Sequence, residues 1–248
     1  MTIDQDRVAP SGAAAFHRLS QTSAAKVLNA GPTPPQWSVP EAIDEPEQIP
    51  PGDIRTDLRE PSEDYRPNPA GQKIFVEITL IDAVTKAPLK GHAVDLWHCN
   101  ASGHADADDM PDGTWLRGIG VSDQSGTVRF TTVVPGCLAG QGPQMWLEVF
   151  HSVAGACEGD GALLSTAVAL PWRTCAHIYG ADLANTHGAE NLNRLLLSSD
   201  RVLGDASGAP AMPEMSMIGA VAEGYFGQLT LEVGKRVRDG KPRVTKAH

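Results

Sequence analysis

The chain has 248 residues, an apolar content of 41% and a formal net charge of −10 at pH 7. A β-sandwich protein of this length commonly forms a single domain. The acidic charge gives no electrostatic support for a nucleic-acid partner, no apolar run approaches the roughly 18 residues of a membrane span, and the N-terminus lacks a signal-peptide pattern. We therefore expect a cytoplasmic protein with neither a nucleic-acid nor a membrane partner.

Terminal arms flank the predicted domain. Ala13 to Leu28 is rich in alanine, with apolar residues at spacings that suggest a short helix packing on the domain or on a second subunit, or a partly ordered arm. A homodimer is therefore possible. Pro and Glu in residues 31–51 are typical of an extended connector, and the basic tail is expected to be solvated. We divide the chain into an arm and connector (1–46), a domain (47–234) and a tail (235–248).

In the first half of the predicted domain, apolar and polar residues alternate as they do in β-strands. Lys73 to Ile81 predicts a strand, and residues 82–89 a turn. Val94 to His98 predicts a second, buried strand that leads into a turn at Asn100 to Gly103. The aspartate-rich residues 104–113 do not fit a calcium-binding EF-hand, so a solvated loop is preferred.

Two further strands are predicted after that loop, over Thr127 to Val134 beyond a turn at 123–126, and over Gln144 to Phe150. Because side chains alternate between the faces of a strand, one apolar set should face the core: Met145, Leu147 and Val149. The other set should lie on the opposite face: Gln144, Trp146 and Glu148.

The C-terminal part is expected to hold further strands and pocket-edge loops. His177 and Tyr179 are two residues apart and would share a face of an extended segment, where they could act as a general acid–base pair or make ordinary hydrogen bonds. Glu190 to Leu197 predicts a short helix, and Met215 to Val221 leads into a closing strand over residues 227–233.

The motifs Trp97-His-Cys-Asn-Ala-Ser-Gly103, Leu116-Arg-Gly118 and Phe130-Thr-Thr-Val-Val-Pro-Gly136 occur in this order. Together they resemble the intradiol ring-cleavage dioxygenases, in particular their small single-domain branch, over about residues 47–233. The resemblance implies a mainly β fold, an intradiol-dioxygenase-like β-sandwich with long loops and a short N-terminal helical arm. It also implies that His98, which relatives of this branch carry outside the ligand set, has a structural role.

The same resemblance implies that the iron site is lost. Members of the family hold Fe(III) with two tyrosinates and two imidazoles, a set that suits this hard cation. The corresponding positions here are Ala105, Leu138, Gln144 and Trp146, and the substrate-facing arginine is Gln141. We therefore expect no metal and no other cofactor, and a reshaped, largely apolar pocket for a small molecule.

Rebuilding a two-tyrosine iron site would require Tyr65 and Tyr179 in the pocket. Four cysteines, Cys99, Cys137, Cys157 and Cys175, lack metal-type spacing. They are expected to be thiols in the cytosol, whereas a bridge between Cys157 and Cys175 stays open for an exported protein.

Three functions are compatible with this pattern. The first is a metal-independent enzyme that acts on an aromatic or polyketide-like small molecule by cyclisation, isomerisation or elimination, with Glu148, His177 and Tyr179 as catalytic candidates. Ala105, Leu138, Gln141, Gln144 and Trp146 are then the substrate-binding candidates. The alternatives are a non-catalytic protein that binds a small molecule or stabilises a partner, and an atypical iron-dependent catechol dioxygenase.

Overall fold

A computed structural model describes residues 54–60, 70–103, 116–199 and 212–234. Within these ranges the chain forms two four-stranded sheets. The first has the order β4-β1-β8-β7 and consists of β1 (Lys73–Asp82), β4 (Thr127–Val133), β7 (Ser216–Ala220) and β8 (Gly224–Val233). The second has the order β3-β2-β5-β6 and consists of β2 (Ala93–His98), β3 (Leu116–Val121), β5 (Gln144–Phe150) and β6 (Leu164–Ala169). The mainly β sandwich expected from the sequence is confirmed.

The core lies between the two sheets. Neighbouring strands pair antiparallel, except for β1 and β8, which run parallel. Alternate residues of β1 and of β5 belong to one buried apolar cluster: Ile74, Val76, Ile78, Leu80, Met145, Leu147 and Val149. The core-facing set predicted for β5 is therefore confirmed, and the other alternate residues of β5 lie on the outer face of the second sheet.

The described helices lie between β5 and β7. They are α1 (Val153–Glu158), α2 (Trp172–Ala181) and α3 (Thr186–Ser199), with a short 3-10 turn at Leu183–Asn185. The Ser152 side chain caps α1 by accepting a hydrogen bond from the Gly155 amide. The helix predicted over Glu190 to Leu197 is confirmed as part of α3, whereas the extended segment expected around His177 is wrong, because this stretch forms α2.

Two glycines explain motifs of the sequence. Gly103 has a φ of +77° and closes the turn by donating its amide proton to the Asn100 carbonyl over 3.1 Å. At Gly118, a Cβ atom would lie 2.5 Å from the Arg55 carbonyl oxygen. Because Gly118 has no side chain, the segment 54–60 can pass close to the backbone of β3.

Several expectations concern residues outside the described ranges. These are the N-terminal helical arm, the connector, the aspartate-rich loop and the basic tail. The described domain residues begin at Ile54 and end at Gly234. Among the described helices, none is both long and apolar enough to cross a membrane.

Candidate functional site

The outer face of the second sheet, called the site face from here on, brings together most of the described candidates. Strand pairing places Trp97 between Arg117 on one side and Trp146 on the other, while Asp95 pairs with Glu148. All these residues point away from the core, because their neighbours along each strand belong to the core cluster. The site face carries these side chains: Asp95, Trp97, Arg117, Ile119, Gln144, Trp146, Glu148, Ser165 and Ala167.

Two indole rings and a guanidinium group form a row across the site face. The ring centroids of Trp97 and Trp146 are 6.5 Å apart with an interplanar angle of 15°, within the range of an offset stack. The Arg117 guanidinium carbon lies 5.7 Å from the Trp97 ring centroid, close enough for a cation–π contact. Three neighbouring strands thus place two indoles and a guanidinium group side by side, with Trp97 and Arg117 buried and Trp146 half-buried.

The charged pair beside the indoles is almost fully buried. The Arg117 Nε atom donates to both carboxylate oxygens of Asp95 over 3.1 Å, and its Nη2 atom donates over 2.5 Å. Burial raises the pKa of Asp95, and the hydrogen bonds and charge of Arg117 oppose that rise. The sequence analysis missed this pair, although the alternation that places Trp97 on the site face also places Asp95 there.

The loop before β5 closes one end of the site face. The Gln144 amide nitrogen donates to the Gln141 side-chain oxygen over 2.8 Å, and Gln144 is buried. Leu138, in the same loop, is also buried, with 9% of its surface exposed. The Gln141 backbone amide also donates to the Leu138 carbonyl over 3.1 Å, so Leu138, Gln141 and Gln144 lie close together, whereas Ala105 lies outside the described residues.

Glu148 is half-buried at the centre of the site face. Its register partners are Asp95 on β2 and Ser165 on β6. The Glu148 carboxylate is therefore one strand away from the Asp95 carboxylate, which Arg117 binds. Glu148 therefore lies between the buried Asp95 of β2 and Ser165 of β6.

The second pair of catalytic candidates is not brought together. Because α2 is a helix, His177 and Tyr179 lie on different sides of it, and His177 is exposed while Tyr179 is buried. The Tyr179 hydroxyl donates to the Pro135 carbonyl oxygen over 2.7 Å, and burial raises its pKa. Tyr179 belongs to the core cluster, so it serves the fold rather than the site face.

His98 has the structural position that the sequence analysis favours. It is fully buried, with one ring nitrogen 2.7 Å from the Cys99 carbonyl oxygen and the other 2.7 Å from the Thr132 hydroxyl. Burial lowers the pKa of His98 to about 4, so the ring is neutral at physiological pH. Both ring nitrogens are thus used within the fold.

The four cysteines are free thiols. Cys157 is exposed and Cys175 is buried, and the structure forms no disulfide bridge between them. Burial raises the pKa of Cys99 and of Cys137 to about 12, which keeps both thiols protonated near neutral pH.

The residues of the site face do not fit a ferric ion. Of the four positions that the resemblance assigns to iron ligands, the three described ones carry Leu138, Gln144 and Trp146. These side chains supply neither an anionic oxygen nor an imidazole, and the Gln144 amide is already bonded to Gln141. Tyr179 is held in the core, and the described residues contain no group of three His, Cys, Asp or Glu side chains placed to hold a metal ion.

The sandwich is similar in fold to solved structures of dioxygenases. A family model described as "Dioxygenase" matches residues 43–154. The structure is similar to that of an intradiol ring-cleavage dioxygenase from Tetranychus urticae, with a TM-score of 0.52 and 19% identity over 85% of this chain and 98% of that chain.

A second solved structure gives the same result. It is the dioxygenase Tetur07g02040, with a TM-score of 0.52 and 19% identity over 82% of this chain and 94% of that chain. No curated protein matches this chain significantly. At these identities the structural similarity establishes the fold, and the chemistry has to be argued from the site face.

Proposed function

We propose that this protein is a metal-independent enzyme that acts on an aromatic or polyketide-like small molecule by cyclisation, isomerisation or elimination. The observation that carries the proposal is the site face itself. It presents the Trp97 and Trp146 indoles, the Gln141–Gln144 amide pair and the Glu148 carboxylate where the resemblance would place a ferric centre. Such a set can bind a flat organic molecule and move a proton, and it lacks the two tyrosinates and two imidazoles with which the resembled family holds Fe(III).

The residues have separate roles in this proposal. The indoles bind and orient the ring system, because aromatic side chains provide a large, rigid apolar surface. The amide pair recognises a polar group of the ligand at the end of the site face. Glu148 accepts or donates the proton, since holding one acid–base group beside an oriented substrate suffices for isomerisation or elimination.

The first test concerns the metal. Elemental analysis and a visible spectrum of protein purified without chelators from iron-replete cells should show iron far below one ion per chain and no tyrosinate-to-iron charge-transfer band. Stoichiometric iron with such a band would contradict the proposal and would direct the search to catechol cleavage.

The second test concerns catalysis. A panel of aromatic and polyketide-like compounds would be incubated with the protein in the presence of a chelator, and products would be detected by liquid chromatography with mass spectrometry. For a compound that is turned over, Glu148→Gln should lower kcat by about 10²- to 10⁴-fold. Glu223→Gln, at an exposed turn, is the matched control and should leave kcat unchanged. Unchanged turnover by Glu148→Gln would remove Glu148 from the mechanism.

A non-catalytic binding protein is the second candidate. It is favoured by the burial of Leu138 and Gln144, which leaves little of their surface for a substrate. This function predicts that no compound of the panel is converted. Detection of any product that depends on Glu148 would reject it.

A further inference from the structure

Two histidines lie side by side at one end of the second sheet. His92 directly precedes β2 and His151 directly follows β5, each one residue beyond the last register pair, which is Ala93 with Phe150. The centroids of the two imidazole rings are 5.7 Å apart. His92 is half-buried and His151 is exposed, so solvent reaches the pair.

The histidine pair belongs to the opposite side of the sheet from Glu148. Because side chains alternate along a strand, His92 continues the row of Val94, and His151 continues the row of Val149. Both of these valines belong to the core cluster. The histidines therefore extend the core-facing rows past the end of the apolar core, and a group bound there would lie apart from the site face.

The fold fixes both the backbone and the ring of His92. Its amide donates to the Ser122 Oγ atom over 3.0 Å, and its carbonyl oxygen accepts from the Ser122 amide over 2.9 Å. Its Nδ1 atom lies 3.2 Å from the Lys90 carbonyl oxygen, which can only accept, so Nδ1 carries the proton of the neutral ring. The Nε2 atom then presents a lone pair, which is the arrangement that orients a histidine for a metal ion.

The spacing of the two rings suits a shared ion. Zinc binds imidazole nitrogen at about 2.0–2.1 Å, so two imidazoles on one tetrahedral ion have ring centres roughly 5 Å apart. The observed 5.7 Å requires only a small rotation of the exposed His151 side chain. Imidazole nitrogen suits Zn²⁺, Cu²⁺ and Ni²⁺, whereas Mg²⁺ and Ca²⁺ prefer oxygen ligands.

We propose that His92 and His151 form a binding site for a divalent transition-metal ion such as Zn²⁺. The described residues place no third His, Cys, Asp or Glu with this pair to form a metal-binding group, so water completes the coordination and the ion is exchangeable. The ion ties the start of β2 to the end of β5, next to Ser152, which caps α1. It has no part in the chemistry proposed for the site face.

Zn²⁺ binding to the full-length chain tests the proposal by isothermal titration calorimetry at pH 7.5, with the thiols kept reduced by an agent that does not bind metal. His92→Gln and His151→Gln each remove one imidazole, and each should weaken Zn²⁺ binding by at least about 10-fold. His177→Gln removes an exposed imidazole on α2 and is the matched control, which should bind Zn²⁺ as the wild type does. An excess of Mg²⁺ should not compete.

A second readout is the midpoint of thermal unfolding. A ligand that binds only the folded protein stabilises it, so Zn²⁺ should raise the midpoint of the wild type and of His177→Gln. At the same Zn²⁺ concentration the increase should be smaller in His92→Gln and in His151→Gln.

Three outcomes would overturn the proposal. The first is a wild-type protein that binds no Zn²⁺ at millimolar concentration. The second is a variant of either paired histidine that binds Zn²⁺ as tightly as the wild type. The third is an equal loss of binding in His177→Gln, which would show that Zn²⁺ binds exposed imidazoles without selecting this pair.

Discussion

The two faces of the second sheet differ in how completely the fold satisfies their polar groups. On the core face, His98 is fully buried and both of its ring nitrogens have partners within the fold. On the site face, the buried Trp146 nitrogen has none. The fold thus satisfies both ring nitrogens of His98 and leaves the Trp146 indole donor without an acceptor.

The two faces also differ in how they bury charge. Asp95 and Arg117 form an ion pair on the site face, while the core cluster between the sheets consists of apolar residues and the Tyr179 and Tyr225 rings. A buried pair is stable only while both partners remain, because either charge alone cannot be solvated. The site face is therefore the more vulnerable of the two to single substitutions of charged residues.

Breaking the buried ion pair should have the largest effect. Arg117→Leu leaves the Asp95 carboxylate buried without its partner, and it should lower the free energy of unfolding by about 3–5 kcal/mol. Urea denaturation at pH 7 measures this loss. Replacing Asp95 by Leu in the same protein should recover part of the stability, because no uncompensated charge then remains. If the free energy of unfolding of Arg117→Leu lay within about 1 kcal/mol of that of the wild type, the burial of the pair would be contradicted.

Acid should act on the core face through His98. Its pKa is about 4 in the folded protein, below the ordinary value of 6.5. Between these pH values the unfolded chain binds a proton that the folded protein does not, so protonation favours unfolding. This contribution is fully present above pH 6.5 and is lost as the pH falls to 4, by about 3 kcal/mol in total.

The measurement for His98 is the free energy of unfolding as a function of pH. The control is His98→Gln, which keeps hydrogen-bonding groups and has no titratable side chain at this position. Its stability should fall less steeply between pH 6.5 and 4 than that of the wild type. Parallel profiles for the two proteins would show that His98 is not the group responsible.

Removing the Tyr179 hydroxyl should have an intermediate effect. Tyr179→Phe leaves the Pro135 carbonyl without its donor, and it should cost about 1–2 kcal/mol of stability. His177→Ala, on the exposed side of the same helix, should stay within about 0.5 kcal/mol of the wild type. If either variant abolished turnover at unchanged stability, the acid–base pair first suggested by the sequence would have to be reconsidered.

The smallest effect is expected on stability at Trp146. In Trp146→Phe, the lost ring area and the removal of an unsatisfied donor oppose each other, so the change should be below about 1 kcal/mol. Leu147→Ala, at the adjacent residue on the core face, should cost about 2–5 kcal/mol. Equal losses at the two positions, measured by thermal or urea unfolding, would remove the distinction between the faces.

Much of the fold could be predicted from local patterns, and the misses have physical causes. Alternation predicted the described strands from Lys73 to Phe150 other than β3, because a half-buried strand imposes a period of two. The helix α2 was missed, although Cys175, Ile178 and Tyr179 have the i, i+3, i+4 spacing of a buried helical stripe. The sequence analysis instead predicts an extended segment here, in which His177 and Tyr179 would share a face.

The sequence by itself determined the sandwich, the two faces of β5 and the residues at the positions that the resemblance assigns to iron ligands, since each follows from the order and chemistry of neighbouring residues. The tertiary structure decided which charges meet, because Asp95 and Arg117 are joined only by the pairing of β2 with β3. It also decided that the Trp146 donor has no acceptor while His98 has two partners, because hydrogen-bond satisfaction depends on groups that are distant in the chain.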